Sequence, residues 1–240
     1  MKNSIKPVMI NGINVYPFNS YNEFLEYIHD KSALLIALNA GKLDRSTPEM
    51  KDIINKNIGY CDGIGATIAL KKKGYKCPTI TGVDLWTMII DRYHKERSFY
   101  LVGGGQEVID AVVRRLKTEY PNINIVGYRN GYIKSDEERT ALLEDVKTKQ
   151  PNVVFVAMGS PKQENLMAEM QIVNPNAIYQ GLGGSFDIYA GKVKRTPKWI
   201  RNLHCEGIYR GMSRVLIKEH RYRFTHDIIF VLKIILGFVK

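Results

Sequence analysis

"NVVFVAMGSPKQENLMAEMQIV", residues 152–173, decides how the chain reads. Its Val-rich run 153–156 is continuously apolar and bounded by polar residues, the mark of a strand buried on both faces. Gly159-Ser160-Pro161 then turns the chain, and Lys162-Gln163-Glu164 opens a helix with Pro161 at its start. "NAIYQGLGG", 176–184, follows as another short strand ending on small residues. Strand, turn, helix and strand in that order form one unit of a parallel sheet. The polar pair Lys162-Gln163 stands where the strand hands over to the helix, so it either faces water or forms part of a binding site.

The same alternation runs outward in both directions. "VMINGINVYPF" reads as a hairpin about Asn11-Gly12. Ser20 and Glu23 have capping-box spacing ahead of a helix, and "ALLIAL", 33–38, is a buried strand. A polar loop leads to a helix from Pro48 after Thr47. A strand at "IGYC" precedes a helix that Gly74 stops. "GVDLWTMIIDRYHKE" is helical, "SFYLVGGG" strand then turn, and "QEVIDAVVRRLKTEYP" a helix closed by Pro121. "NINIVGY" is a strand, and Ser135 and Glu138 cap the next helix. The class is α/β with a mostly parallel sheet flanked by helices. From Thr196 onward the pattern is helical only, with basic and aromatic residues interleaved. The expected organisation is an α/β core over 1–195 and a helical appendage over 196–240.

The chain has 240 residues and a net charge of +11. Cysteines 61, 77 and 205 fit neither a disulfide framework nor a zinc site, which suits a reducing cytosol. No secretory signal is visible at the start. Ten Lys or Arg stand against two Glu between Lys192 and Arg223. The apolar stretch "IIFVLKIILGFV" follows directly, too short to span a bilayer. A basic patch suits an anionic partner, and grease beside it favours a membrane face over nucleic acid. RNA-binding signatures and a recognition helix are missing.

Parallel sheets bind ligands beyond the carboxyl ends of their strands. Those ends carry Asn39-Ala40-Gly41, Asp62-Gly63-Ile64-Gly65, Gly103-Gly104-Gly105, Gly159 to Gln163, and Gly181 to Gly184 with Asp187 close behind. The triple glycine is either an ordinary turn or a phosphate cradle of backbone amides, and Val108 breaks the dinucleotide fingerprint. Asp62 is either a helix N-cap or a functional carboxylate. With no D-x-D, His pair or Cys cluster at a strand end, a metal-free site is favoured.

"AMGSPKQE" followed by "GLGGSFDIYAGKVKRTPKWI" resembles the signature of the bacterial WecG/TagA/CpsF glycosyltransferases. "LNAGKL", "YCDGIG", "GVDLW", "FYLVGGG" and "NIVGYRNGY" are similar to that family's motifs in order and spacing. The resemblance implies a Rossmann-like domain with a C-terminal basic and apolar helical appendage. It implies inverting, metal-independent transfer of an N-acetylmannosamine-type sugar, ManNAc or its uronate, from UDP. The acceptor implied is an undecaprenyl-diphosphate-linked amino sugar at the cytoplasmic face of the inner membrane. No cofactor beyond the UDP-sugar donor is expected, nor any nucleic-acid partner, and a homo-oligomer is compatible with this picture. Residue by residue, it makes Asp62 the base and puts Asn39 and Gln163 in the sugar and phosphate pocket. Tyr132 and Asp187 fall near the nucleotide, with Gly103, Gly104 and Gly159 at the same strand ends. Lys162, Arg210, Arg214 and Arg221 supply positive charge toward the substrates.

The chain departs from that family pattern at several places. Thr79 stands where an Arg is frequent, Gly41 where a Glu is, and Ala37 where a Thr is, the last as in the uronate-transferring branch. In the tail Gly207 replaces a Trp and Val215 a Pro. These changes bear on the identity of the sugar rather than on the reaction. Alternative readings are a different UDP-hexose donor, or a non-catalytic nucleotide- or nucleic-acid-binding protein.

Overall fold

A computed structural model describes residues 5–197, 200, 206, 209 and 218–238, with only the backbone of 218–224. The strands are β1 (Val8–Ile10), β2 (Ile13–Val15), β3 (Ala33–Leu38), β4 (Ile58–Cys61), β5 (Ser98–Gly103), β6 (Asn124–Arg129), β7 (Val153–Ala157) and β8 (Ile178–Gly181). The helices are α1 (Tyr21–Ile28), α2 (Ala40–Arg45), α3 (Pro48–Asn55), α4 (Ile64–Lys72), α5 (Gly82–Tyr93), α6 (Gln106–Glu119), α7 (Asp136–Lys149), α8 (Lys162–Val173), α9 (Ser185–Tyr189) and α10 (Lys218–Leu236). β1 and β2 form the expected hairpin. The six remaining strands form one sheet in the order β4-β3-β8-β7-β5-β6. The pairings of β3 with β8, β8 with β7, β7 with β5 and β5 with β6 are all parallel. The α/β class read from the apolar runs is therefore the observed one.

Contacts divide the chain into two units, and the division falls inside β3. One unit comprises Met1–Phe24, Ile36–Thr81 and Arg195–Lys240; the other comprises Leu25–Leu35 and Gly82–Lys194. The first buries Ile13, Val15, Leu38, Leu43, Ile54, Tyr60 and Leu70 completely. Asn55 stitches its hairpin to α3, accepting from the Asn14 N–H and donating to the Gly12 carbonyl. α10 lies on α2 and α4 of this unit, with Phe230 and Ile234 buried. Arg45 donates to Asp227 at 2.7 Å, and the Lys72 ammonium donates to the Ile235 carbonyl near the helix end.

The second unit holds β5, β6, β7 and β8 with α5 to α9 about them. Every residue of β7 is buried, as a continuous apolar strand requires. Trp86 of α5 meets Phe155 and Phe186 edge-on at 5.6 Å and Tyr189 at 4.9 Å. Gly127 of β6 lies flat against the Tyr100 ring, whose hydroxyl donates to Asp145 of α7.

Two elements differ from the sequence reading. The polar loop after β3 contains α2, a single six-residue helix capped by Asn39. The segment after Gly184 forms α9. Both are too short to show a helical period, and each starts on small or polar residues that read as loop. Pro161 also occupies the N-cap of α8, after a cis Ser160–Pro161 bond, rather than the first helical position.

Candidate active site

In the first unit, the ends of β3 and β4 set Asn39 and Asp62 side by side. The Asp62 N–H donates to the Leu38 carbonyl at 2.9 Å, so pairing continues one residue beyond β4. Asn39 spends its side-chain oxygen on α2, accepting from the Lys42 N–H at 3.0 Å. Lys42 in turn donates its ammonium to the Ala37 carbonyl. The N-cap of α4 is Gly63, with no side-chain capping bond. Asp62 is half-buried and stands one residue ahead of that cap.

A buried polar chain braces this turn from behind. The Cys61 thiol lies 3.2 Å from the Thr67 hydroxyl, which donates to the Gly63 carbonyl and pairs with Thr79 at 2.9 Å. The Ile80 N–H donates to the Cys61 carbonyl. Contact with Cys77, together with burial, pushes the Cys61 thiol well up, so it stays protonated; the same contact lowers Cys77. Thr79 is thus part of the scaffold of the Asp62 turn. Two glycines let α2, α4 and α10 meet here: a Cβ on Gly65 would fall 2.7 Å from that of Ala40, and one on Gly41 3.0 Å from Asp227.

In the second unit, the loops after β5, β6, β7 and β8 carry the remaining candidates. Gly103 adopts φ 140, and a Cβ there would lie 2.7 Å from the Ala157 carbonyl carbon. Only glycine lets β5 end this close to β7. The Gly104 N–H donates to the Ala157 carbonyl, and the Gly131 N–H to the Gly104 carbonyl. The triple glycine is thus a three-loop junction at the N-terminus of α6.

Tyr132 stands beside that junction, 66 % exposed, with its ring edge toward Gly105. Its loop is rigidly tied. The Tyr132 N–H donates to the Asn130 side chain, which donates to Gln106 at 2.9 Å. Arg129 donates to the Tyr132 and Glu138 carbonyls, and the Lys134 N–H donates to the Glu138 carboxylate. Those bonds hold Glu138 below the usual carboxylate range. Capping-box spacing marked Glu138 only as a helix start. Its carboxylate instead serves the loop, and nothing local paired Asn130 with Gln106, 24 residues earlier.

Gln163 is 4 % exposed. Its side-chain oxygen accepts from the Gly159 N–H at 3.1 Å and the Gly183 N–H at 2.9 Å, and its amide donates to Glu164 at 3.0 Å. It brackets the loop after β7 to the loop after β8. Lys162 is exposed beside it, and Gly159 has open space over its Cα. Asp187 is half-buried in the first turn of α9, and its carbonyl closes the following turn by accepting from Lys192 and Val193.

Among the sequence-derived candidates, then, Asn39 adjoins Asp62, while Gly103, Gly104 and Tyr132 share one junction and Gly159 is tied to Gln163. Arg210 and Arg214, like Gly207, Val215 and Cys205, lie outside the described residues. Arg221 is in α10, where only its backbone is described. The family model for glycosyl transferases of the WecG/TagA/CpsF type matches residues 8–239, nearly the whole chain, and the protein belongs to that family.

Proposed function

We propose that this glycosyltransferase moves an N-acetylmannosamine-type sugar, ManNAc or its uronate, from UDP to an undecaprenyl-diphosphate-linked amino sugar. The transfer inverts the anomeric centre and uses no metal. The observation that carries the reading is the position of Asp62: a half-buried carboxylate at the end of β4, with its turn braced from behind and its N–H still paired to Leu38 of β3.

Asp62 takes the proton of the acceptor hydroxyl as that oxygen bonds to the anomeric carbon. The carbon–oxygen bond to UDP breaks on the opposite face, and UDP leaves with the electron pair. The leaving diphosphate would then be met by Lys162, the tail arginines 210, 214 and 221, and backbone amides. Asn39 serves the substrate beside Asp62, and Gln163 serves it by holding the loops after β7 and β8. Tyr132 offers its exposed ring to the base, with Gly103, Gly104, Gly159 and Asp187 about the nucleotide. The lipid-linked acceptor puts the reaction at the cytoplasmic face of the membrane. Among the described residues no helix is long and apolar enough to cross one.

The test is UDP release with candidate donors and a GlcNAc-diphospholipid analogue. Release that needs both a ManNAc-type donor and the acceptor supports the reading. Release with another hexose donor alone transfers the assignment to that sugar.

A further inference from the structure

Behind the Asp62 turn two cysteines meet. Cys61 ends β4, and Cys77 lies in the segment 75–81, which has no regular structure between α4 and α5. That segment is tied to the strand end: the Ile80 N–H donates to the Cys61 carbonyl at 2.8 Å, and the Thr79 hydroxyl lies 2.9 Å from that of Thr67. Both thiols are free, and they hydrogen-bond to one another. Neither takes part in the proposed transfer.

The two sulfurs are unequal. Their mutual hydrogen bond, followed by burial, pushes the Cys61 thiol well up, whereas the same bond lowers Cys77. Cys77 is therefore the first to ionise, with Cys61 as its donor. A thiolate is the form that attacks an oxidant, and a second thiol in contact is what resolves the product. Cys77 is 9 % exposed and sits between the exposed residues Lys76 and Pro78, so hydrogen peroxide needs only a slight opening of this segment to reach it.

We propose that Cys61 and Cys77 form a redox pair, closing into a disulfide under a hydroperoxide and reopening under thiols, and that closure moves the Asp62 turn and stops transfer. The Cys77 thiolate attacks one oxygen of hydrogen peroxide; the O–O bond breaks, and hydroxide leaves and takes up a proton as water. Cys77 is then a sulfenic acid. The Cys61 sulfur bonds to the Cys77 sulfur and loses its proton, and the sulfenic hydroxyl leaves as a second water. Two electrons pass from the sulfurs to the peroxide. Thiols reverse the step by exchange, so under reducing conditions the open pair is the resting form.

Closure shortens a non-bonded sulfur contact to about 2 Å. The Cys61 sulfur then carries no proton and is drawn off the Thr67 hydroxyl, 3.2 Å away, whose bond to the Gly63 carbonyl braces the turn. Asp62 is the next residue, so a movement of about 1 Å here reaches the base and should cut turnover about a hundredfold. That effect rests on Asp62 as the base proposed above; formation of the bond does not.

The experiment treats the full chain with hydrogen peroxide, counts thiols in denaturant and maps the peptides. The three thiols should fall to one, with Cys61 linked to Cys77 and Cys205 free. The Asp62 amide resonance should shift and turnover should fall, and dithiothreitol should restore both, while UDP affinity holds throughout. Cys77→Ser, treated alike, should keep its turnover; loss there places the damage elsewhere and overturns the proposal. So do three surviving thiols, a Cys77 sulfinic acid beside an intact Cys61 thiol, or a linked protein whose Asp62 amide and turnover are unchanged. A reduced protein that releases no UDP from any donor defeats the proposed reaction, and the peptide map with the Asp62 amide still decides the pair.

Discussion

Gln163 accepts a hydrogen bond from the backbone N–H of Gly183, twenty residues further along the chain, at 2.9 Å, and one from Gly159 at 3.1 Å. One buried side chain therefore sets the spacing of two strand-end loops. Gln163→Ala should orphan both amides at a cost of about 1–3 kcal/mol each. At this chain length that lowers Tm by about 4–24 °C. Because both loops belong to the proposed pocket, UDP affinity should fall with it, measured by calorimetry on the folded variant. An unchanged melting curve would remove the bracket from the account.

Gly103 and Gly159 both have positive φ but sit in opposite surroundings. At Gly103 a methyl group would collide with the Ala157 carbonyl, whereas at Gly159 it would meet nothing within 4 Å. Gly103→Ala should therefore fail to fold or lose several kcal/mol, while Gly159→Ala should lose only about 1 kcal/mol from backbone strain. Space above Gly159 is also where a ligand's phosphate would approach, so Gly159→Ala should weaken UDP binding more than it weakens the fold. Thermal melts paired with UDP titrations separate the two effects.

These contrasts mark what the sequence could disclose. Continuous apolar runs such as 33–38 and 153–157 announced buried parallel strands, and Asn11-Gly12 announced its hairpin, because those signals are local. Capping-box spacing located the helix starts at Ser20 and Ser135, and Pro48 after Thr47 located the one between, for the same reason. The Gly103 collision with Ala157, the Gln163 bracket and the Thr67–Thr79 brace join positions far apart in the chain, so no window of sequence holds them. α2 and α9 escaped because one or two turns are too few to show a period. Asp62 was legible as a candidate, while the brace behind its turn was not, because Thr67 and Thr79 meet only in the fold.

Glu138 supplies a pH dependence. Its carboxylate is held below the usual range by the Lys134 N–H and then Arg129. A depressed folded-state value means the anchor is complete above the unfolded value of about 4.3 and is lost as pH falls through the lower folded one. The Lys134 amide resonance should titrate below about pH 4.3, and Glu138→Gln should abolish that titration. In that variant the loop bearing Tyr132 should exchange its amide hydrogens faster.

The central claim is that Asp62 is the base. Its test is UDP release from the active donor and acceptor by wild type and Asp62→Asn, alongside UDP affinity. Removing a general base should cut turnover by about 10²–10⁴-fold, while UDP binds as before, since the substitution keeps shape and removes only charge. Wild-type turnover by Asp62→Asn would contradict the account.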